Sequence, residues 1–352
     1  MVGSFRDLER HFGALPPDTV AALTSIAEAR GRADLYRQQN PAGLETLRQV
    51  ALIQSTEASN AIENIHAPLA RIEALVAEKT TPRTRSEQEI AGYRDVLATI
   101  HANGVDIPFE PRYVQQLHGY LHKYVGDRGA GQWKKLDNEV EERLPDGARV
   151  VRFKPVSAAL TPQAMDDLHR EFRRALDTGP YSPLLLCAAY VLDFTVIHPF
   201  RDGNGRMSRL ITLWLLYIVG LDVGRYISIE KLIDSSRETY YEALGHSTRG
   251  WHESEHDLAP WTSYFLGILL AACKELEGRT GALAGRGSKR ALITSFIDSL
   301  MADEFTIAEI RQAAPGVSDG YINRVLGELK NQGRIKPLST GRGARWRRLS
   351  TD

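Results

Sequence analysis

The sequence predicts an all-α protein: a helical bundle holding one small β-hairpin, followed by a separate module of three helices and a second hairpin. Three observations carry this. Apolar residues recur at helical spacing from Leu44 to Glu277 with one interruption, between Val125 and Pro155. Within that span two strongly apolar runs, Leu184 to Ile197 and Leu210 to Leu221, flank a polar turn, His198 to Arg209. Beyond a glycine-rich stretch, shorter helical patterns resume and end on strand-like segments. The division expected is 1–104, an N-terminal helical segment; 105–277, the core; 278–287, a linker; and 288–352, the small module.

At 352 residues and 43% hydrophobic, the chain can bury at least one large core. Lysines and arginines number 44, as do acids, so no global field drives it to nucleic acid or an anionic membrane. Cys187 and Cys273 both lie in apolar helical runs and read as buried free thiols of a reducing compartment. No signal-peptide pattern opens the chain, and Leu210 to Leu221 is too short to span a bilayer. A cytoplasmic protein with no membrane partner is expected.

Residues 1–42 read as a loose entry segment, with a turn at Leu15-Pro-Pro-Asp18 and a polar break from Gly31 to Gly43. From Leu44 the stripe Leu44, Leu47, Val50, Ala51, Gln54 predicts a helix that leads into Ser59-Asn-Ala-Ile-Glu-Asn64. Two helices follow, about Leu69 to Lys79 and Ser86 to Asn103, the second capped by Ser86 with Glu89. Glu110 opens another, to about Tyr124; its His118 and His122 have metal spacing but no carboxylate or third ligand at matching spacing, so solvent-facing or packed histidines are expected. Gly126 to Trp133 is a glycine-rich loop. Leu144-Pro-Asp-Gly147 followed by Val150 to Phe153 predicts a hairpin. Thr161-Pro162 starts a helix to Leu176, and Ser182-Pro183 starts the run that stops before Pro199. The helix from about Arg206 is apolar nearly all round and should be central. Ile227 to Leu244 continues helical, a polar loop at Trp251 to Asp257 caps the next helix, and Pro260 to Glu277 closes the bundle.

The chemistry concentrates in His198-Pro-Phe-Arg-Asp-Gly-Asn-Gly-Arg-Met-Ser-Arg209. Gly203 and Gly205 permit a tight turn whose N–H groups converge, and a helix N-terminus faces the same point. A phosphate chain suits such a nest. His198 can accept a proton from a hydroxyl at neutral pH. Asp202 is a hard oxygen ligand for Mg2+, Asn204 can donate to phosphate, and Arg206 and Arg209 share a helix face from which both can fork onto phosphates.

This stretch resembles the Fic family signature, His-Pro-Phe-x-(Asp/Glu)-Gly-Asn-Gly-Arg-x-x-Arg, at every fixed position. The resemblance implies a Fic-type helical core that transfers AMP from ATP to a Tyr, Thr or Ser hydroxyl of a target protein. It implies His198 as base, Asp202 on Mg2+, and Gly203, Asn204, Gly205, Arg206 and Arg209 on the phosphates. Phe200 would anchor the loop and Tyr240 would line the adenine pocket. Ser59 to Asn64 resembles the family's inhibitory motif, (Ser/Thr)-x-x-x-Glu-(Gly/Asn), in which Glu63 pairs with Arg209 and displaces the γ-phosphate. The hairpin resembles the family's flap, which takes the target backbone by strand addition. Lys134-Lys135 departs from the family, where arginine is common.

In the last module, helices from Arg290 to Met301, after Thr306 and after Ser318 precede strands at Arg334 to Pro337 and Arg345 to Arg348. This resembles a winged helix. Tyr321, Asn323, Arg324 and Lys330, with Arg342, Arg345, Arg347 and Arg348, could meet DNA or a protein, and both stay open. Homo-oligomerisation is open as well. The competing reading is a DNA-binding regulator that senses nucleotide through its Fic-like core. The presence of a base, His198, favours the enzyme.

Overall fold

A computed structural model describes residues 3–39, 41–143, 149–284, 288–300, 303–314, 317–339 and 344–349. In chain order the first elements are α1 (Leu8–Phe12), α2 (Pro17–Gln39), α3 (Pro41–Ile62), α4 (Leu69–Val76), α5 (Arg85–Asn103) and α6 (Pro111–Leu121). A hairpin of β1 (Val140–Arg143) and β2 (Arg149–Phe153) follows, then α7 (Thr161–Thr178), α8 (Pro183–Ile197) and α9 (Asn204–Ile218). The bundle closes with α10 (Ile229–Ser235), α11 (Arg237–Thr248) and α12 (Ala259–Ala284). The remaining elements are α13 (Ser288–Ser299), β3 (Glu304–Thr306), α14 (Ile307–Ala313), α15 (Asp319–Asn331), β4 (Ile335–Pro337) and β5 (Arg345–Arg348).

The predicted class holds: helices dominate, with a small hairpin in the main body. Helices α8 and α9 are its centre. Between Leu185 and Ile197 only Thr195 is not buried, and α9 is buried from Arg206 to Tyr217. A helix apolar on all faces has no stable place except inside other helices, and α7, α12, α5 and α3 surround this pair. Each fully buried Leu here contributes about 1.5–3 kcal/mol. The indole N–H groups of Trp214 and Trp261 donate to Gly104 O and Ala188 O, both at 2.8 Å, so burying them leaves no donor unpaired.

Several boundaries differ from the expectation. The N-terminal segment is not loose. Phe5 is buried against Phe172, and the Ser4 amide and hydroxyl both donate to the carboxylate of Asp193 on α8. The presumed break from Gly31 lies in α2, which runs to Gln39 and packs along α12. The presumed linker is mostly helix, since α12 continues to Ala284; Gly278 faces open space there, and an exposed glycine costs a helix only about 1 kcal/mol. Residues 285–287 lie outside the described residues. Helix α5 is capped by Thr84, which accepts the Glu87 N–H at 3.2 Å, because Thr84 and Glu87 offer the same spacing as Ser86 and Glu89 two residues earlier. Thr161 stands inside α7, with Leu160 at the cap. The expected helix from Ile227 is broken at Ser236 into α10 and α11.

The C-terminal elements build a second hydrophobic core around Ile293, Ile297, Phe305, Ile310, Ile322, Leu326 and Ile335. Its sheet is antiparallel, in the order β3-β5-β4. Strand β3 was not foreseen, since three residues are too few to show alternation. The Thr306 cap was, and forms a full capping box with Glu309. The expected hairpin tip with Arg342, and the Leu144 to Gly147 turn, lie outside the described residues.

Candidate functional site

Pro199 has no N–H to continue a helix and disfavours helical backbone before it, so α8 ends at Ile197. His198 is left in the left-handed region at φ 49°, a conformation costly for a side chain other than glycine. Surrounding bonds hold it there. Its N–H donates to Phe194 O at 3.0 Å, and its Nδ1 lies 3.3 Å from Thr195 O. A carbonyl only accepts, so Nδ1 carries the hydrogen and Nε2 keeps a lone pair. Burial pulls the imidazole pKa down to about 4, with the Lys134 charge acting in the same direction, so the ring is neutral at pH 7.

The loop after His198 is closed by its own side chains. Phe200 is fully buried and stacks on His118 at 3.7 Å, with Trp133 at 5.0 Å. Asn204 Oδ1 accepts the Phe200 N–H at 2.9 Å, and its Nδ2 donates to Phe200 O at 2.8 Å. The amide expected on a phosphate is here bonded to the loop's own backbone. Gly203 has φ 77°, and a Cβ there would lie 2.9 Å from His122 Nε2, so glycine is needed for both conformation and space. Helix α9 starts two residues earlier than expected. Met207 N–H is bonded to Gly203 O, leaving the N–H groups of Asn204, Gly205 and Arg206 without intrahelical acceptors at the positive end of the helix.

Asp202 stands exposed beside this opening, its Oδ1 accepting the Gly203 N–H at 2.7 Å. One carboxylate completed by substrate phosphates suits Mg2+, which rarely asks for an all-protein cage. Among the described residues no group of three or more His, Cys, Asp or Glu could hold a metal, and His118 and His122 are both buried. His118 Nδ1 accepts from Gly131 N–H at 2.9 Å, so its Nε2–H donates to Asp202 O at 3.0 Å.

The two signature arginines are both occupied. Arg209, 3% exposed, donates from Nε to Ser59 Oγ and from Nη2 to Ser59 O and Glu63 Oε1, each at 2.8 Å. Burial opposes its charge, and the Glu63 carboxylate together with Tyr240 and Tyr93 more than offsets that, raising its pKa. Glu63 stands where α3 gives out, and Asn64 then takes the left-handed conformation (φ 59°) that Asn tolerates and most residues avoid. A Cβ on Gly205 would be 2.1 Å from Glu63 Oε1, so the carboxylate lies directly over the first turn of α9. Arg206 was expected on a phosphate; it is 2% exposed and faces Glu89 Oε2 at 2.9 Å, close but out of line for a hydrogen bond. Glu89 was missed because its partner lies across the bundle.

Tyr240 is buried among Tyr241, Trp261 and Tyr264. With Arg209 and Ser208 it lines a cavity of about 20 Å³, room for a water and not for a purine. Lys134 and Asn138 were also missed as site residues. Lys134 Nζ donates to Ile197 O at 3.0 Å and to Asn138 Oδ1 at 2.7 Å, its N–H donates to Pro199 O, and Asn138 Nδ2 donates to Phe200 O. Desolvation lowers the Lys134 pKa to about 8. The hairpin pairs Glu141 with Val151 and Arg143 with Arg149, and Phe153 at its far end reaches 6.4 Å from the His198 ring.

Helix, turn and helix with this loop match the Fic/DOC family model over residues 108–216, and the chain carries a Fic/DOC-family domain. Solved structures share the fold. A Fic family protein from Desulfovibrio desulfuricans G20 is 22% identical with a TM-score of 0.62, over 96% of this chain and 98% of that one. A Fic domain containing signaling protein from Bacteroides thetaiotaomicron VPI-5482 is 20% identical with a TM-score of 0.58, over 71% of this chain and 94% of that one. Fic-1 from C. elegans is 19% identical with a TM-score of 0.57, over 73% and 71%. Among curated sequences, the ribonucleoside-diphosphate reductase small chain of Ostreid herpesvirus 1 is 43% identical over 56 residues, 15% of this chain. This chain spans only 10% of that relative's length. Among the described residues no helix is long and apolar enough to cross a membrane. A Fic domain with this signature supports transferase chemistry of the Fic type.

Proposed function

We propose that this protein transfers AMP from ATP to a hydroxyl side chain of a target protein, and that Glu63 inhibits it. The observation that carries this is a neutral imidazole, with its hydrogen on Nδ1 and a lone pair on Nε2, in the loop that leads into the positive N-terminus of α9. His198 Nε2 takes the proton of the attacking hydroxyl. A bond forms from that oxygen to the α-phosphorus, the α–β bridge breaks, and its electron pair leaves with pyrophosphate. The N–H groups at the start of α9 meet the charge that develops on the phosphate. Asp202 would hold Mg2+, which supplies countercharge to the phosphates when bound. The hairpin would receive the target backbone. Buried free thiols at Cys187 and Cys273 suit the reducing cytoplasm.

The regulator reading has less support. Of the module's arginines expected on DNA, Arg345 and Arg347 face Glu304 and Arg348 faces Asp303, while Arg311 pairs with Asp319 at the start of α15. The test of the main reading is incubation with ATP labelled at the α-phosphate, alone and with lysate. Labelled protein bands are expected; none with wild type or with Glu63→Gly would overturn it.

A further inference from the structure

One face of α3 carries Ser55, Ser59 and Glu63, each about one helical turn after the last. Ser59 and Glu63 meet Arg209, whereas Ser55 meets α10. The Ser55 hydroxyl donates to Glu230 Oε2 at 2.7 Å, and the Tyr93 hydroxyl on α5 donates to Glu230 Oε1 at 3.0 Å. We propose that Glu230 is a positioning residue, which through Ser55 sets the turn of α3 that seats Arg209 and so aims its guanidinium at the nucleotide's phosphates. The aim at a nucleotide rests on the AMP-transfer reading; the seating of Arg209 does not.

Cost is the first reason. Glu230 is 1% exposed, Ser55 and Tyr93 are fully buried, and among the described residues Glu230 makes no ion pair. A carboxyl group buried without a cation is expensive, and is tolerated only where its oxygens are hydrogen-bonded, as both are here. Apolar side chains could have packed α10 against α3 and α5 at less cost, but burial of apolar surface has no direction. A hydrogen bond fixes both distance and angle. What Glu230 adds to this junction is register.

Bracketing is the second. Arg209 bonds Ser59 twice, from Nε to its hydroxyl and from Nη2 to its carbonyl, so the guanidinium plane follows the backbone of α3 at that turn. The segment from α10 to α11 holds α3 on both sides of it. Ser55 is tied four residues before Ser59, and Arg237 Nη2 donates to Ile62 O three residues after. Ser228 steadies the first tie: it caps α10 by accepting the Lys231 N–H at 3.0 Å, and Ser55 Oγ lies 3.0 Å from its hydroxyl. Tyr93 adds a third side, since its phenol stands beside Ser59 while it bonds Glu230. When Glu63 leaves Arg209, these ties still fix the seat.

The test reads Arg209 directly, by NMR on the full chain. Its Nε–H, buried against Ser59, should exchange slowly with solvent in wild type and in Glu63→Gly. Ser55→Ala, and Glu230→Gln, which offers one oxygen to two hydroxyls, should each speed that exchange about tenfold. In the Glu63→Gly background the same two changes should weaken ATP about tenfold by calorimetry and leave AMP unchanged, because only ATP extends to Arg209. A merely structural role would weaken both nucleotides together. The proposal is overturned if the Arg209 Nε–H exchanges in both variants as slowly as in Glu63→Gly, or if ATP and AMP weaken alike. Failure of Glu63→Gly to bind ATP would instead refute the transfer reading, and the exchange rates would still decide this one. Ser55→Ala deletes a single hydroxyl, so the test does not depend on Glu230→Gln folding.

Discussion

Replacing Glu63 with Gly tests the inhibitory contact most directly. The carboxylate makes one charge-assisted hydrogen bond to Arg209, a class worth about 1.5–3 kcal/mol when buried. Glu63 keeps 33% of its side-chain surface exposed, so solvent screening brings the figure to about 1–1.5 kcal/mol, or about tenfold. A second effect is steric. Its Oε1 lies over Gly205, where a phosphate would approach the first turn of α9, and displacing a reacting group by about 1 Å costs on the order of a hundredfold. Arg209 would stay in place without Glu63, because Ser59 still accepts two of its bonds. Transfer in Glu63→Gly should therefore rise between about ten- and a hundredfold. Arg209→Ala should not raise it, since the phosphate ligand goes with the lock, and the double variant should match Arg209→Ala. Rates of self-labelling and of lysate labelling from α-labelled ATP provide the assay. Equal rates in Glu63→Gly and wild type would refute the inhibitory role.

Four further outcomes follow from the geometry. His198→Ala should lower transfer by about two to four orders of magnitude while ATP affinity, read by calorimetry, stays near wild type. Asp202→Asn should raise the magnesium concentration at which labelling is half-maximal, and unchanged magnesium dependence would remove that carboxylate from metal binding. Lys134→Met removes a cation that disfavours the His198 imidazolium, so the acid limb of the pH–rate profile should move upward in pH; an unmoved limb would show that Lys134 only straps the loop. Burial depresses His101 to about 3 and His169 to about 4, below an unfolded value near 6.5, so the unfolded state takes up protons first as pH falls. Stability should be flat with pH above about 6.5, then fall by about 1.4 kcal/mol per histidine by pH 5.5, and urea titrations of His169→Asn should show one share less.

The site was largely legible because its parts are local. His198 to Arg209 holds base, turn and helix start within twelve residues, and Ser59 to Asn64 places hydroxyl, carboxylate and left-handed Asn one helical turn apart. What depended on tertiary placement was not. No local pattern pairs Glu89 with Arg206, or Ser4 with Asp193; both pairings exist because helices distant in sequence meet in the bundle. Asn204 has a local role that the signature alone does not show. Its amide satisfies backbone groups four residues back, a habit of Asn that competes with any ligand role. Composition also misled at Gly278, where a glycine-rich stretch stays helical because the preceding turns of α12 are packed.

The two signature arginines are restrained by carboxylates of different accessibility, and this divides their roles. Arg206 and Glu89 are both nearly buried, so removing Glu89 would strand a charge in the interior, a change that costs about 3–5 kcal/mol. That pair is part of the frame that fixes the start of α9. Arg209 is as buried as Arg206, but its carboxylate arrives from the end of a helix and remains one-third open to water. Separating Glu63 from Arg209 exposes an acid already one-third solvated and leaves the guanidinium on Ser59, so it is the cheaper separation by a wide margin. A triphosphate can replace one surface-facing carboxylate on Arg209; it cannot replace Glu89 without opening the bundle. Under the proposed function, control of the site would therefore fall to Glu63, and access to the phosphate seat would be set at the C-terminal end of α3.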